Sequence, residues 1–296
     1  MDDKELKSIA LHACIDEYND YHVYTELASS SLTPVNLRPK LSNMAKQEYK
    51  HYEFWSRFVD EFKPRRPVLK IILLKFLALI MGITFVIKLL ENHEDKVIDG
   101  YKSIAVYLDD EDKSMLETII KDEKEHENAL LENINEGRVR YLGFTVLGLS
   151  DALIEIAGIH AGTLGVYTDT FKAGLAGLIA GVAASIAMAS AAYNQAKQSE
   201  NVKASSAATY TGIAYVITAL LLALPYFFVH NIFEALVISL LISIAILAYI
   251  ALYAHVLFNR SFFRELGETT GIIFGATLAL YVLGEAIRIY FNLQLD

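Results

Sequence analysis

From residue 138 onward the chain consists of five long apolar stretches, at roughly 142–166, 173–196, 208–229, 234–257 and 268–291, joined by short polar links. A helix needs about 20 apolar residues to cross the hydrocarbon core of a bilayer, and each stretch is long enough. A chain this apolar cannot bury five such helices in a water-soluble core, so the pattern predicts a membrane domain. Basic residues flank the stretches unevenly. Arg138, Arg140, Lys197, Lys203, Arg260 and Arg264 fall on one side, and Lys172 and Arg288 on the other. The positive-inside rule then places the part before residue 138 in the cytoplasm, and an odd number of spans places the C-terminus outside.

The N-terminal part has a different chemistry. Of 35 acidic and 26 basic residues, 26 and 18 lie in residues 1–137, so most of the net charge of -9 belongs there. An acidic surface argues against nucleic acid and suits a cation. The single cysteine, Cys14, excludes an internal disulfide and reads as a small buried residue. The acidic first twenty residues contain no apolar signal core, so secretion is not expected. Apolar residues recurring at intervals of three and four predict two helix pairs, at 3–62 and 84–135, with Pro34, Pro39, Pro64 and Pro67 in the connections. Between the pairs, residues 68–90 are apolar but carry Lys70, Lys75 and Lys88. A single extra span would put the two pairs on opposite sides of the membrane. This crossover is therefore expected to lie on the membrane surface, with the preceding KPRRP near anionic headgroups.

The two pairs repeat a spacing. Glu17 precedes Tyr24 by seven residues and is followed by Glu48 and His51; Glu94 precedes Tyr101 by seven and is followed by Glu123 and His126. All eight lie on apolar stripes. Four buried carboxylates need compensating positive charge, and lysines are not placed to supply it. Two divalent cations balance four carboxylates, with two imidazoles completing the coordination. Oxygen and nitrogen donors without thiolate suit iron or manganese. His12 and His22 read as surface or interface histidines, and DDED at 109–112 as loop and cap chemistry.

One Glu from each of two helices with a Glu-x-x-His from each of the other two is the ligand pattern of carboxylate-bridged di-metal bundles. Over residues 5–135 the pattern resembles the rubrerythrin-type branch of the ferritin-like superfamily. That resemblance implies a four-helix bundle holding two iron ions, or manganese, on Glu17, Glu48, His51, Glu94, Glu123 and His126, with Tyr24 and Tyr101 next to them. Glu91 and Asp99 lie within a turn or so of Glu94 and leave the third-helix ligand open.

The first apolar stretch carries Asp151 and Glu155 one helical turn apart, at a depth where carboxylates face a polar pathway or a partner. GLSDALIEIAG, AGLIAGVAASIAMASAAY and GIAYVITALLLALPYFF together resemble the vacuolar iron transporter family over residues 138–292. The resemblance implies a homodimer exporting Fe2+ or Mn2+ from the cytosol with proton exchange, and it matches Asp151 and Met188, with Glu155 as in prokaryotic members. Two features depart from the plant members: Ala180 stands where they carry a glutamate, and only KQSENVKASSAA separates the second and third stretches, where they insert a metal-binding domain. The bundle at the N-terminus would supply that domain's role, as in the prokaryotic fusions called membrane-bound ferritins. Glu268, Glu285, His160 and His255 receive no transport role.

The expectation is thus an all-α chain: a cytoplasmic ferritin-like four-helix bundle, 1–137, followed by a five-helix membrane domain, 138–296, of a prokaryotic cell membrane. Three functions fit it. They are a metal-efflux transporter, a membrane-tethered di-iron oxidase or peroxidase whose spans only anchor it, and an iron-regulated scaffold.

Overall fold

The computed structural model describes residues 3–59, 63–131, 137–164, 169–199 and 202–291. Among these the fold is all-α, and the chain divides into two compact units, Met1–Ile134 and Asn135–Asp296.

In the first unit α1 (Asp3–Ser29) packs along α2 (Arg38–Ser56), and α4 (Ile83–Ile104) packs along α5 (Asp110–Leu131). Pro39 sits in the first turn of α2, where its missing N–H costs nothing. Asp109 accepts the backbone N–H of Asp112 at 2.8 Å and starts α5, whose acidic first turn complements the helix dipole. The DDED cluster is therefore cap chemistry, with Asp112 also reaching Arg57 at 2.7 Å. The core beneath the bundle gathers Cys14, Phe54, Trp55, Tyr101, Leu116 and Ile119. Cys14 is fully buried, and burial pushes its thiol up to about 11, so it packs as a small apolar residue.

The crossover differs from the single surface element expected at 68–90. Helix α3 (Val68–Met81) ends at Gly82, whose φ of 94° is a conformation glycine adopts without strain. Residues 83–87 and 90–91 are buried and begin α4, so only α3 is a candidate for the membrane surface. Its lysines turn inward: Lys70 pairs with Asp20 at 2.7 Å and Lys75 with Glu26, both on α1. Lys70 and Lys88, both in the crossover, lie on different helices.

The second unit contains the short α6 (Gly137–Arg140) and five helices long and apolar enough to cross a membrane: α7 (Leu142–Thr163), α8 (Thr170–Ala196), α9 (Ala204–Phe228), α10 (Ile232–Phe258) and α11 (Phe262–Phe291). Asp169 and Asn231 cap α8 and α10 through the N–H groups of the first turn. Helix α7 touches each of the other four. Its contact with α9 is close because Gly148 faces the carbonyl of Thr211, which a Cβ would approach to 2.3 Å. On α8 the inward positions are Gly174, Gly177, Gly181 and Ser185, whereas Phe171, Ile179 and Ile186 point outward. Small residues inside and large apolar residues outside suit helices that meet each other through packing and meet lipid elsewhere.

Candidate metal centre

Each long helix of the first unit sends acidic or imidazole groups to one buried place. Glu17 comes from α1, Glu48 and His51 from α2, Glu91 from α4, and Glu123 and His126 from α5, all no more than 5% exposed. Spacing explains the convergence, since residues three apart on a helix share a face. Single ligand atoms of Glu17, Glu48, His51 and Glu123 lie within 4.8 Å of one another.

The geometry has an approximate twofold character. His51 Nδ1 lies 2.9 Å from Glu123, 3.4 Å from Glu48 and 3.4 Å from Glu17. His126 Nδ1 lies 3.3 Å from Glu48 and 3.4 Å from Glu123. Glu48 and Glu123 therefore reach both imidazoles, as carboxylates spanning two cations would, whereas Glu17 sits on the His51 side. The phenol of Tyr101 donates to Glu17 at 2.7 Å, and that of Tyr24 donates to Glu91 at 2.9 Å. The side chains of Glu94 and Asp99 lie outside the described residues.

The far nitrogens are also held. His51 Nε2 lies 3.4 Å from Asp122, and His126 Nε2 lies 3.1 Å from Gln47. Donation from Nε2 leaves Nδ1 as the nitrogen that, once its proton is lost, turns a lone pair towards the carboxylates. Sequence reasoning missed Gln47 and Asp122, although each immediately precedes the glutamate of a Glu-x-x-His. Asp122→Asn is expected to weaken metal binding about 10- to 100-fold, because the acceptor that orients His51 loses its charge. Titration of the metal-stripped protein with Mn2+ would measure this, and unchanged affinity would remove Asp122 from the centre.

Electrostatics show what the cluster lacks. Burial pushes Glu17 well above the usual carboxylate range and Glu91 up to about 8. Burial also opposes charging His126, but Glu123 and Glu48 outweigh it and lift the imidazole to about 10; His51 is raised further by Asp122, Glu123, Glu17 and Glu48. Glu48 is held low despite burial because both imidazoles face it. Glu48 Oε1, Glu123 Oε2 and the Nδ1 atoms of both histidines are buried with no hydrogen bond, close to one another but misaligned. Buried carboxylates and imidazoles that depend on protons for compensation, with polar atoms converging and unsatisfied, fit divalent cations.

Other sequence candidates lie apart from this cluster. His12 is exposed and bonds the carbonyl of Ser8, and His22 packs edge-on against Tyr18. In α7, Asp151 and Glu155 are half-buried, and Glu155 accepts the phenol of Tyr215 from α9. Tyr215 was not singled out in the sequence, because an aromatic in an apolar span reads as packing. Met188 of α8 packs against the core cluster that contains Tyr215, Leu153 and Ile156. Glu268 pairs with Arg264 at 2.8 Å, Glu285 with Arg288, and His255 with the carbonyl of Arg260 at 2.7 Å. These contacts occupy all three residues locally.

The family model described as Rubrerythrin matches residues 9–134. No curated protein and no solved structure matches the chain. Residues 9–134 thus form a rubrerythrin ferritin-like domain, with a Glu/His cluster able to hold metal, and five apolar helices follow it.

Proposed function

We propose that this protein exports Fe2+, or Mn2+, across a prokaryotic cell membrane in exchange for protons. The rubrerythrin domain is its cytoplasmic metal-capturing part, and the membrane domain acts as a homodimer. The observation that carries this reading is the presence, in one chain, of a buried carboxylate–imidazole cluster and of a carboxylate pair inside an apolar helix of membrane-spanning length. Carboxylates at that depth are costly when they only anchor. Glu155 is held by Tyr215, while Asp151, one turn away, provides a second oxygen donor for a cation. Met188 adds a soft donor on the neighbouring helix.

Glu17, Glu48, His51, Glu123 and His126, with a carboxylate of α4, would hold two ions in the first unit. When bound, a di-iron pair supplies electron exchange with oxygen or peroxide. The residues themselves orient the imidazoles, exclude water and, before metal binds, hold the protons that it displaces.

Transport is tested in proteoliposomes loaded with a metal-quenched dye. The intact protein is expected to carry Fe2+ and Mn2+ with opposite proton movement, and Asp151→Ala to reduce flux at least tenfold with the rubrerythrin domain still loaded. Absence of flux by the intact protein rules the reading out. The alternative, a membrane-tethered di-iron oxidase or peroxidase, is favoured by the two phenols bonded to site carboxylates. It predicts sustained peroxide consumption abolished by Glu123→Ala and indifferent to Asp151→Ala.

A further inference from the structure

Helix α3 is amphipathic in an unusual sense, because its charges face the protein and its apolar side faces out. Val68, Leu69, Ile72, Leu73 and Phe76 recur at helical spacing and are each 56–80% exposed. The opposite face, Ile71, Leu74, Ala78 and Met81, is buried in the first unit. Lys70 and Lys75 are tied to Asp20 and Glu26, so no lysine of the helix interrupts the exposed face. The helix contains no acidic residue. A contiguous apolar surface of this kind is unfavourable in water and marks something that covers it.

We propose that α3 lies in the headgroup region of an anionic bilayer, its outward face sunk among the acyl chains, and docks the rubrerythrin domain on the membrane. Three observations select lipid. Lys63 and Arg65, immediately before the helix, are exposed and without an ion-pair partner among the described residues, so they offer positive charge beside the apolar face. Basic residues flanking an apolar helix face are the chemistry that anionic headgroups recognise. The chain also brings a bilayer within reach, since ten residues separate the end of α5 from the start of α7, a tether of at most about 3.5 Å per residue. Finally, the two inward ion pairs free the outer side of α3 from charge, an arrangement that suits burial in hydrocarbon. Docking here needs neither metal flux nor redox turnover, so it stands or falls apart from the function proposed above.

The test uses the full-length chain in nanodiscs of phosphatidylcholine and phosphatidylglycerol, some of the lipid carrying a nitroxide on its acyl chain. Leu69→Cys, Ile72→Cys and Phe76→Cys are labelled singly with a fluorophore; buried Cys14 is shielded from labelling. Glu117→Cys, on an exposed position of α5, is the reference, and metal content reports that each variant is folded. Quenching at the three α3 positions is expected to exceed that at the reference at least threefold. It should fall at least twofold in discs without phosphatidylglycerol and in the Lys63→Glu, Arg65→Glu double variant. Quenching equal to the reference overturns the proposal, and so does quenching that ignores both lipid charge and the double variant. Efficient disulfide cross-linking of Leu73→Cys between two copies, without lipid quenching, would instead assign the face to a second copy.

Discussion

Glu48→Ala is expected to strip the first unit of metal, lowering affinity by more than a hundredfold for both ions. Glu48 lies between the two imidazoles, 3.4 Å from His51 and 3.3 Å from His126, so its loss removes an oxygen from both metal positions at once. Glu17 approaches only His51, and Glu17→Gln should weaken one position more than the other. The two variants also differ without metal. Glu48 is the carboxylate that both imidazoles hold ionised, so its removal leaves two buried cations less well compensated, at a cost on the order of 3 kcal/mol. Burial already favours the neutral form of Glu17, so a neutral glutamine in its place should leave the metal-free fold close to unchanged. Titration with Mn2+, metal analysis and thermal unfolding of the detergent-solubilised protein measure all three effects. Retention of two ions at undiminished affinity by Glu48→Ala would contradict the metal centre.

The centre was legible in the sequence because its chemistry is periodic. Glu-x-x-His occurs twice in register, and a three-residue spacing forces both groups onto one helical face. That same rule left Glu91 and Glu94 inseparable, being three apart on one helix; the Tyr24 bond marks Glu91 as facing the site, while the side chain of Glu94 lies outside the described residues. Gln47 and Asp122 were readable in principle, since each precedes a repeated glutamate. Their partners, however, lie 79 and 71 residues away on another helix, and that pairing follows from packing. Helix α3 was legible as apolar but not as inverted. Hydropathy treats Lys70 and Lys75 as interruptions, and only the ion pairs with Asp20 and Glu26, about 50 residues distant, turn them inward. In the second unit, helix existence followed from length and apolarity, whereas the Gly148–Thr211 contact and the Tyr215–Glu155 bond depend on which helices become neighbours.

Metal loading should be strongly linked to protons, in a direction the cluster fixes. Glu91 has its carboxyl raised from 4.5 to about 8, so its favourable contribution to the metal-free fold is complete below 4.5 and lost as pH rises through 8. His126 has its imidazole raised from 6.5 to about 10, so its contribution is complete below 6.5 and lost as pH rises through 10. Glu17 and His51 shift the same way, and the metal-free unit should therefore lose stability steadily from pH 6 to pH 9. Metal requires these groups deprotonated. At pH 7 loading should thus release several protons, with Glu91, His51 and His126 among their donors, and apparent affinity should climb as pH rises. Calorimetry in buffers of different ionisation enthalpy counts the protons, and melting curves with and without Mn2+ follow the stability. The loaded unit should show a much flatter profile over the same range, because the cations replace the protons that hold the carboxylates together. A metal-free unit that instead gained stability between pH 6 and pH 9 would mean that the carboxylates are paired with fixed positive charge, and the argument for two divalent cations would lose its physical basis.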